Sequence, residues 1–338
     1  MKDEKYHFIG IGGIGMSGLA RMALEEGATV TGSDIKSNPI VELLQQKGAN
    51  ISIGHRAENV TSEATVVYST AVATTNPEYQ EALSRRCSLL HRSDLLNILM
   101  QGYKALAVAG THGKTTTSSL LTHLMVEADL DPSYAVGGVI AGLGANSSWG
   151  KGEHFVVEAD ESDGSFTKYS PYGAIVTSVE KEHLEAYGTE ERLHDAFRHF
   201  IEKTENSDML LYCSDDPGVR SLGITSGVSY GFEAGADVQA LNYRQEGLTS
   251  NFDVAYGGYT YHNIFFPMPG KHNVLNALAV FGMALRLGVS EAVIRKAFAS
   301  FRGVARRVEK VYDDKGVIIL DDYAHHPTEV SATLQGIR

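Results

Sequence analysis

Val108-Ala109-Gly110-Thr111-His112-Gly113-Lys114-Thr115-Thr116-Thr117 lies between the apolar run Ala105 to Ala109 and a helical pattern from Ser118 to Ala128. A strand that ends in glycines and restarts as a helix leaves successive backbone N–H groups unpaired at the helix N-terminus. The helix dipole also favours an anion there. The stretch therefore reads as a phosphate-binding loop of an α/β fold. Gly110, Thr111, His112 and Gly113 form the cradle, Lys114 brings charge to the outer phosphates, and Thr115, followed by Thr116, offers a hydroxyl to Mg2+. The usual spacing of such loops would put glycine at Val108, so the shorter Gly-Thr-His-Gly-Lys-Thr form carries the reading. The plainer alternative is an ordinary turn with a solvated lysine. Three hydroxyls directly after Gly-Lys, between a strand and a helix, argue against it.

On the N-terminal side, Tyr6 to Ile11 patterns as a strand, Ile14 to Glu26 as a helix stopped by Gly27, and Thr29 to Ser33 as a second strand. Between the first strand and the helix lies Gly10-Ile11-Gly12-Gly13-Ile14-Gly15, and Asp34 follows the second strand. This is a diphosphate cradle on a βαβ unit, with a carboxylate placed as in the Rossmann fold. The glycine spacing does not say which nucleotide fills it. The alternation continues with helix Ile40 to Lys47, strands Ile51 to Ile53 and Ala64 to Ser69, helix Pro77 to Arg86, and a helix from Asp94 to Met100 capped by Ser93. Residues 1–102 are thus expected to form a first domain.

On the C-terminal side, the apolar strand His154 to Val157 ends in Glu158-Ala159-Asp160-Glu161-Ser162-Asp163. Acidic residues at a strand's carboxyl end, in a sheet that holds a phosphate loop, stand where a Mg2+ ligand belongs, although acidic loops are usually just solvated. The strand Ala174 to Val179 is followed by Glu180-Lys181-Glu182-His183-Leu184-Glu185, where His183 reads equally as a metal ligand and as a surface histidine. Helix Glu190 to Lys203, strand Met209 to Cys213 and a turn at Asp215 to Gly218 come next. Three β-rich runs, Val238 to Arg244, Phe252 to Tyr256 and Tyr259 to Phe265, pattern as a meander appended to the α/β sheet. In the helix Asn273 to Leu287, Asn273 and Asn276 share one face, as partners for an adenine edge or as simple caps. Helix Glu291 to Phe301 closes a central domain, 103–304, and the short basic segment Arg302 to Arg307 reads as a hinge out of it. Strands Val308 to Tyr312 and Val317 to Leu320, then Asp321-Asp322-Tyr323-Ala324-His325-His326-Pro327-Thr328-Glu329 and a helix, open a segment 305–338 too small for its own core. It is expected to be the start of a truncated third domain.

Composition narrows the partners. The chain has 338 residues and a formal net charge of −12, with no basic tail, which argues against nucleic acid or an anionic membrane. Cys87 and Cys213 are the only cysteines, so neither a disulfide framework nor a cysteine zinc site is expected, and a reducing cytoplasm is the natural compartment. No run is apolar and long enough to span a bilayer, and nothing calls for an obligate protein partner.

Taken together, Gly10 to Gly15, Ala109 to Thr117, Val157 to Phe166, Val179 to Tyr187, Gly270 to Asn276 and Asp321 to Glu329 resemble the Mur ligase family, over the whole chain. The resemblance implies an N-terminal Rossmann-like domain that binds a UDP-sugar, a central P-loop ATPase-like domain and a C-terminal Rossmann-like domain. Within the family, Ser162 resembles the branch that joins L-alanine to UDP-N-acetylmuramate in peptidoglycan synthesis, whereas murein tripeptide recycling ligases tend to carry tyrosine there. The resemblance implies transfer of the γ-phosphate of ATP to the sugar carboxylate, and attack of the amine on the resulting acyl phosphate. It assigns Lys114, His183, Arg307 and His325 to catalysis, with Thr115, Glu158 and His183 as Mg2+ ligands. Asn273, Asn276 and Asp322 would join the loop in holding ATP. Gly12, Gly13, Ile14, Gly15, Asp34 and Ser69 would hold the UDP-sugar, and Tyr323 with His325 the amino acid. On this reading the chain binds UDP-N-acetylmuramate through its first 100 residues and, with a truncated third domain, turns over poorly or not at all. An NAD-dependent oxidoreductase, resting on the first glycine loop alone, is the rival from another class.

Overall fold

The first strand, β1 (Lys5–Ile9), is buried from Tyr6 onward, as befits a strand covered on both faces within a parallel sheet. The computed structural model of the protein describes residues 2–338. The chain divides into two compact units. One runs to Gly102 and includes Ser133–Gly137 and Asn146–Gly150, and the other comprises Tyr103–Pro132, Gly138–Ala145 and Lys151–Arg338.

In the first unit β1 is followed by α1 (Ile14–Glu25), β2 (Thr29–Asp34), α2 (Pro39–Gln46), β3 (Asn50–Ile53), β4 (Thr65–Tyr68), α3 (Pro77–Ser84), β5 (Leu89–His91) and α4 (Arg92–Leu99). The strands form a parallel sheet in the order β3-β2-β1-β4-β5. Strand order reverses between β1 and β4, and such a switch point opens a crevice at the strands' carboxyl ends. The loop Gly10–Gly15 leaves β1 there and Ser69 leaves β4. Asn38 and Asn76 cap α2 and α3, each followed by a proline whose missing N–H costs nothing in a first turn.

The chain continues with β6 (Lys104–Ala109), α5 (Lys114–Glu127), β7 (Ser133–Ile140), β8 (Ala145–Ser148), β9 (His154–Ala159), β10 (Gly173–Val176), α6 (Leu184–Tyr187) and α7 (Glu190–Glu202). Then come β11 (Leu210–Cys213), α8 (Pro217–Ser221), β12 (Val228–Gly231), β13 (Val238–Glu246), β14 (Thr249–Tyr256), β15 (Tyr259–Phe266), α9 (Lys271–Arg286) and α10 (Glu291–Ser300). A ten-stranded sheet runs β15-β14-β13-β12-β11-β10-β6-β9-β7-β8. Its parallel part sets β6 between β10 and β9, and the antiparallel meander β13–β15 extends it. Helix α9 is buried nearly all round, and Phe281 packs with Phe298 of α10, which also meets Phe266 of β15. The last elements, β16 (Glu309–Asp314), β17 (Val317–Asp321) and α11 (Pro327–Ile337), are a hairpin and a helix, and β16 is exposed along its whole length.

Several local expectations need correction. Helix α5 starts at Lys114 and not at Ser118, because Gly113 in the left-handed region (φ +81) turns the chain directly into the helix. Ser93 does not cap α4: His91 takes that role, in a capping box with Asp94, and the short apolar run before it pairs with β4 as β5. The turn at Asp215–Gly218 is the entry of α8, with Asp216 as its cap. Val228–Gly231, which the pattern left unassigned, is the parallel strand β12. Neither Asn273 nor Asn276 caps α9, since Gly270 occupies that position.

Candidate active site

At the end of β6 the chain makes a turn that only glycine accommodates. Gly110 has φ +137, and a Cβ there would lie 2.1 Å from Thr177 Oγ1, while one on Gly113 would lie 2.6 Å from Asn276 Oδ1. Backbone and hydroxyl groups beyond β10 pin the loop. Thr111 N–H donates to Ser178 O (2.9 Å), His112 N–H to Ser178 Oγ (2.9 Å), and Thr177 Oγ to His112 O (2.5 Å).

Lys114 folds back over this loop, donating to Gly110 O (2.6 Å) and to Thr111 O (3.2 Å), and pairs with Glu161 Oε2 at 2.8 Å. Burial pulls the Lys114 ammonium down, but Glu161 and Glu158, with Asp160, outweigh it and hold the group above the usual lysine range. Burial pushes the Glu161 carboxyl up, against Lys114. Both directions are accounted for: the surrounding carboxylates keep the ammonium charged, while at Glu161 burial, with Asp160 adding to it, outweighs the attraction of Lys114 and disfavours the ionised form. Thr115 Oγ1 donates to Glu158 Oε1 (3.1 Å), and Ser118 Oγ reaches Glu158 Oε2 at 3.5 Å. Glu158 owes its place to the β6–β9 register, which sets it beside Val108. His183, in the left-handed region (φ 54), lies 3.9 Å from Glu161 and 3.8 Å from Glu182. Lys114 and His183 therefore meet at Glu161, a residue that the sequence did not single out from its acidic run, while Thr115 meets Glu158.

Beside the loop is a cavity of about 290 Å³, lined among others by His112, Gly113, Thr116, Asn273, Asn276 and Arg307. Asn273 and Asn276 are buried on one face of α9, with Asn276 Nδ2 donating to Asn273 Oδ1 at 3.4 Å and Asn273 Nδ2 to Pro269 O at 2.8 Å. Asp322 also lines the cavity, but its carboxylate already accepts Val308 N–H (2.7 Å) and Ala324 N–H (2.8 Å), so its evident task is to shape the segment. Tyr323 and His325 meet edge to face at 5.2 Å and are both exposed. Arg307 lies 5.5 Å from the Tyr323 ring.

The histidine of the loop has partners that the sequence did not announce. His112 Nδ1 is 3.2 Å from Glu329 Oε1, and its Nε2 is 3.3 Å from Glu180 Oε2. Burial depresses the imidazole, but Glu329 and Glu180 more than offset it and raise its pKa. Burial alone would raise Glu329, yet hydrogen bonds from His112 and His325 N–H, with Arg307 nearby, hold its carboxyl at about 2.

In the first unit, Gly12 N–H donates to Asp34 Oδ2 (2.8 Å), so Asp34 tethers the glycine loop. A Cβ on Gly12 would lie 2.9 Å from Asp34 and from Asn38. Gly13 caps α1, and Ile14, at its first position, is exposed, as is the start of the helix through Gly15. The loop thus presents a free helix N-terminus, the geometry that binds phosphate.

Two family models match the chain: Mur ligase family, catalytic domain, over residues 5–104, and Mur ligase middle domain, over residues 108–284. The chain is 48% identical over 335 residues to the UDP-N-acetylmuramate-L-alanine ligase of Protochlamydia amoebophila, covering 98% of this chain and 73% of that protein. The crystal structure of UDP-N-acetylmuramate-alanine ligase MurC from Thermotoga maritima superposes with a TM-score of 0.89 at 31% identity, covering 98% of this chain and 77% of that one. A murein peptide ligase from Psychrobacter arcticus gives 0.82 at 27% identity, covering 98% and 75%. No described helix is long and apolar enough to cross a membrane. The chain belongs to the Mur ligase family.

Proposed function

We propose that the chain is an ATP-dependent ligase that joins L-alanine to the carboxylate of UDP-N-acetylmuramate, in peptidoglycan precursor synthesis. The observation that carries the reading is the pairing of two phosphate loops on separate sheets, in a chain akin along nearly its whole length to alanine-adding ligases. The greater likeness to the Thermotoga enzyme than to the murein peptide ligase favours L-alanine over a tripeptide.

A carboxylate is a poor electrophile at neutral pH, so the amide requires activation. In the proposed reaction a carboxylate oxygen of the sugar attacks the γ-phosphorus of ATP and ADP leaves. The amine of L-alanine then attacks the acyl carbon, phosphate departs, and the amine loses a proton. The chain's work is positioning and charge neutralisation. Lys114 turns from Glu161 and the loop carbonyls toward the transferring phosphoryl group. The amides of Gly110 to Gly113 hold the outer phosphates, Asn273 and Asn276 the adenine, and Arg307 and Asp322 approach from the last segment. The oxygens of Thr115 and Glu158 suit a hard divalent cation completed by water and phosphate. His183, 3.9 Å from the Glu161 carboxylate that pairs with Lys114, is assigned to a second such ion. Mg2+ bound there would neutralise charge on the phosphates. Gly12 to Gly15 cradle the diphosphate of the UDP-sugar, with Asp34 and Ser69 at the same crevice, and Tyr323 with His325 face the amino acid.

Calorimetric titration tests the first loop: UDP-N-acetylmuramate should bind one to one, and NAD should not compete. Competition by NAD at similar affinity would favour the oxidoreductase reading instead.

A further inference from the structure

Two imidazoles and one carboxylate converge beside the phosphate loop. One donor atom from each of His112, Glu180 and His326 lies within 4.8 Å of the others, and the two rings stack at 5.3 Å with 26° between their planes. Each ring has an outer nitrogen on a carboxylate: His112 Nδ1 faces Glu329 Oε1 at 3.2 Å, and His326 Nε2 faces Glu182 Oε1 at 3.3 Å. Each inner nitrogen faces Glu180 Oε2, His112 Nε2 at 3.3 Å and His326 Nδ1 at 3.9 Å. A neutral imidazole that donates through its outer N–H turns a lone pair inward, and two lone pairs aimed at a carboxylate oxygen repel unless a proton or a metal cation lies between them. His112 Nε2 is buried and faces Glu180 Oε2 without the geometry of a directional hydrogen bond. Glu180 Oε2 is itself oriented by the Thr328 hydroxyl at 2.9 Å. The one competing contact at an inner nitrogen is the long cap bond from Thr328 N–H to His326 Nδ1, at 3.4 Å.

We propose that His112, Glu180 and His326 form a binding site for a divalent transition-metal ion of the Zn2+ class, with Glu329 and Glu182 as the outer carboxylates that orient the two histidines. Two imidazole nitrogens and one carboxylate are a zinc donor set, and they leave a fourth tetrahedral position open. A donor set with two imidazoles and a single carboxylate suits Zn2+ better than Mg2+, which takes mainly oxygen ligands. Outer carboxylates on both ligating histidines are the usual companions of such sites, because they fix the tautomer and raise the basicity of the ligating nitrogen. The ion would tie the phosphate loop, through His112, to the N-terminus of α11, through His326. Its three ligands are distinct from the residues around Glu158 and His183, although Glu182 lies between His326 and His183, and the inference stands independently of the ligase reading.

Zn2+ titration of the full chain by calorimetry in excess Mg2+, with metal analysis after dialysis, tests it. One Zn2+ per chain is expected. Affinity should fall at least about 10-fold in His326→Gln and again in Glu180→Gln, both half-buried, and should be unchanged in His183→Ala. Absence of stoichiometric zinc would leave a proton as the bridge between His112 and Glu180, and would overturn the proposal. So would zinc retained equally by His326→Gln, or zinc lost with His183→Ala.

Discussion

Gly113 has two independent reasons to be glycine: its φ of +81 and the 2.6 Å that would separate a Cβ from Asn276 Oδ1. Gly113→Ala should therefore destabilise the second unit by about 1–3 kcal/mol, read as a lower urea midpoint. It should also push Asn276 out of its place beside Asn273. An unchanged midpoint would mean that the loop relaxes freely, which the bonds pinning Thr111 and His112 oppose. Glu158 and His183 have a different signature. Glu158→Ala and His183→Ala should each raise the Mg2+ concentration needed for half-maximal ATP-dependent activity and lower the rate, because the proposed reaction sets both beside the phosphates of ATP. Wild-type Mg2+ dependence in both variants would remove them from the metal site.

At the scale of elements, Asp216 does more than end a strand. Its Oδ1 accepts Val219 N–H of α8 at 2.8 Å and Val179 N–H beyond β10 at 3.1 Å. Burial raises its carboxyl, against those backbone donors. Asp216→Ala would orphan both N–H groups and should cost about 1–2 kcal/mol in thermal unfolding, against a few tenths for an exposed cap. The elements themselves were largely legible, because the strands β1, β6 and β9 are apolar runs and the glycine loops sit where strand turns into helix. Missing were β5, β7, β8 and β12; of these β5 and β12 are short runs with no period of their own, made strands by the edges that β4 and β11 offer. Lys114, Thr115 and Glu158 could be read from their spacing to strand ends. Glu161 could not be singled out from its acidic neighbours, since its pairing with Lys114 depends on how the loop after β9 folds. Nor could Glu180, Glu329 and His326, which reach His112 from distant parts of the chain.

At the scale of the whole molecule, acid stability should be set in part by Glu78, a buried hub of the first unit. Its carboxylate accepts from His7 Nε2 (3.2 Å), Ser33 Oγ (2.5 Å), Asn59 Nδ2 (2.5 Å) and Arg56 N–H (3.1 Å), joining β1, β2 and α3. Burial alone would raise its pKa, but these bonds hold it at about 2, below the ordinary 4.5. A group depressed in the folded state contributes its stability above the unfolded pKa and loses it as pH falls through the folded one. Melting of the first unit should thus lose on the order of 3 kcal/mol between about pH 5 and pH 2, and Glu78→Gln should flatten that slope. An equally steep slope in Glu78→Gln would place the acid sensitivity elsewhere.

The central claim, that the loop Gly110 to Thr117 transfers phosphate to activate UDP-N-acetylmuramate for L-alanine, is tested most directly by the substrate dependence of phosphate release from ATP. Release by the 338-residue chain should require both UDP-N-acetylmuramate and L-alanine, with a murein tripeptide unable to replace the latter, however small the absolute rate. Lys114→Ala should lower it by roughly 100- to 1000-fold while leaving calorimetric binding of UDP-N-acetylmuramate unchanged. Release that is indifferent to L-alanine, or a Lys114→Ala chain that loses the UDP-sugar together with turnover, would contradict the account.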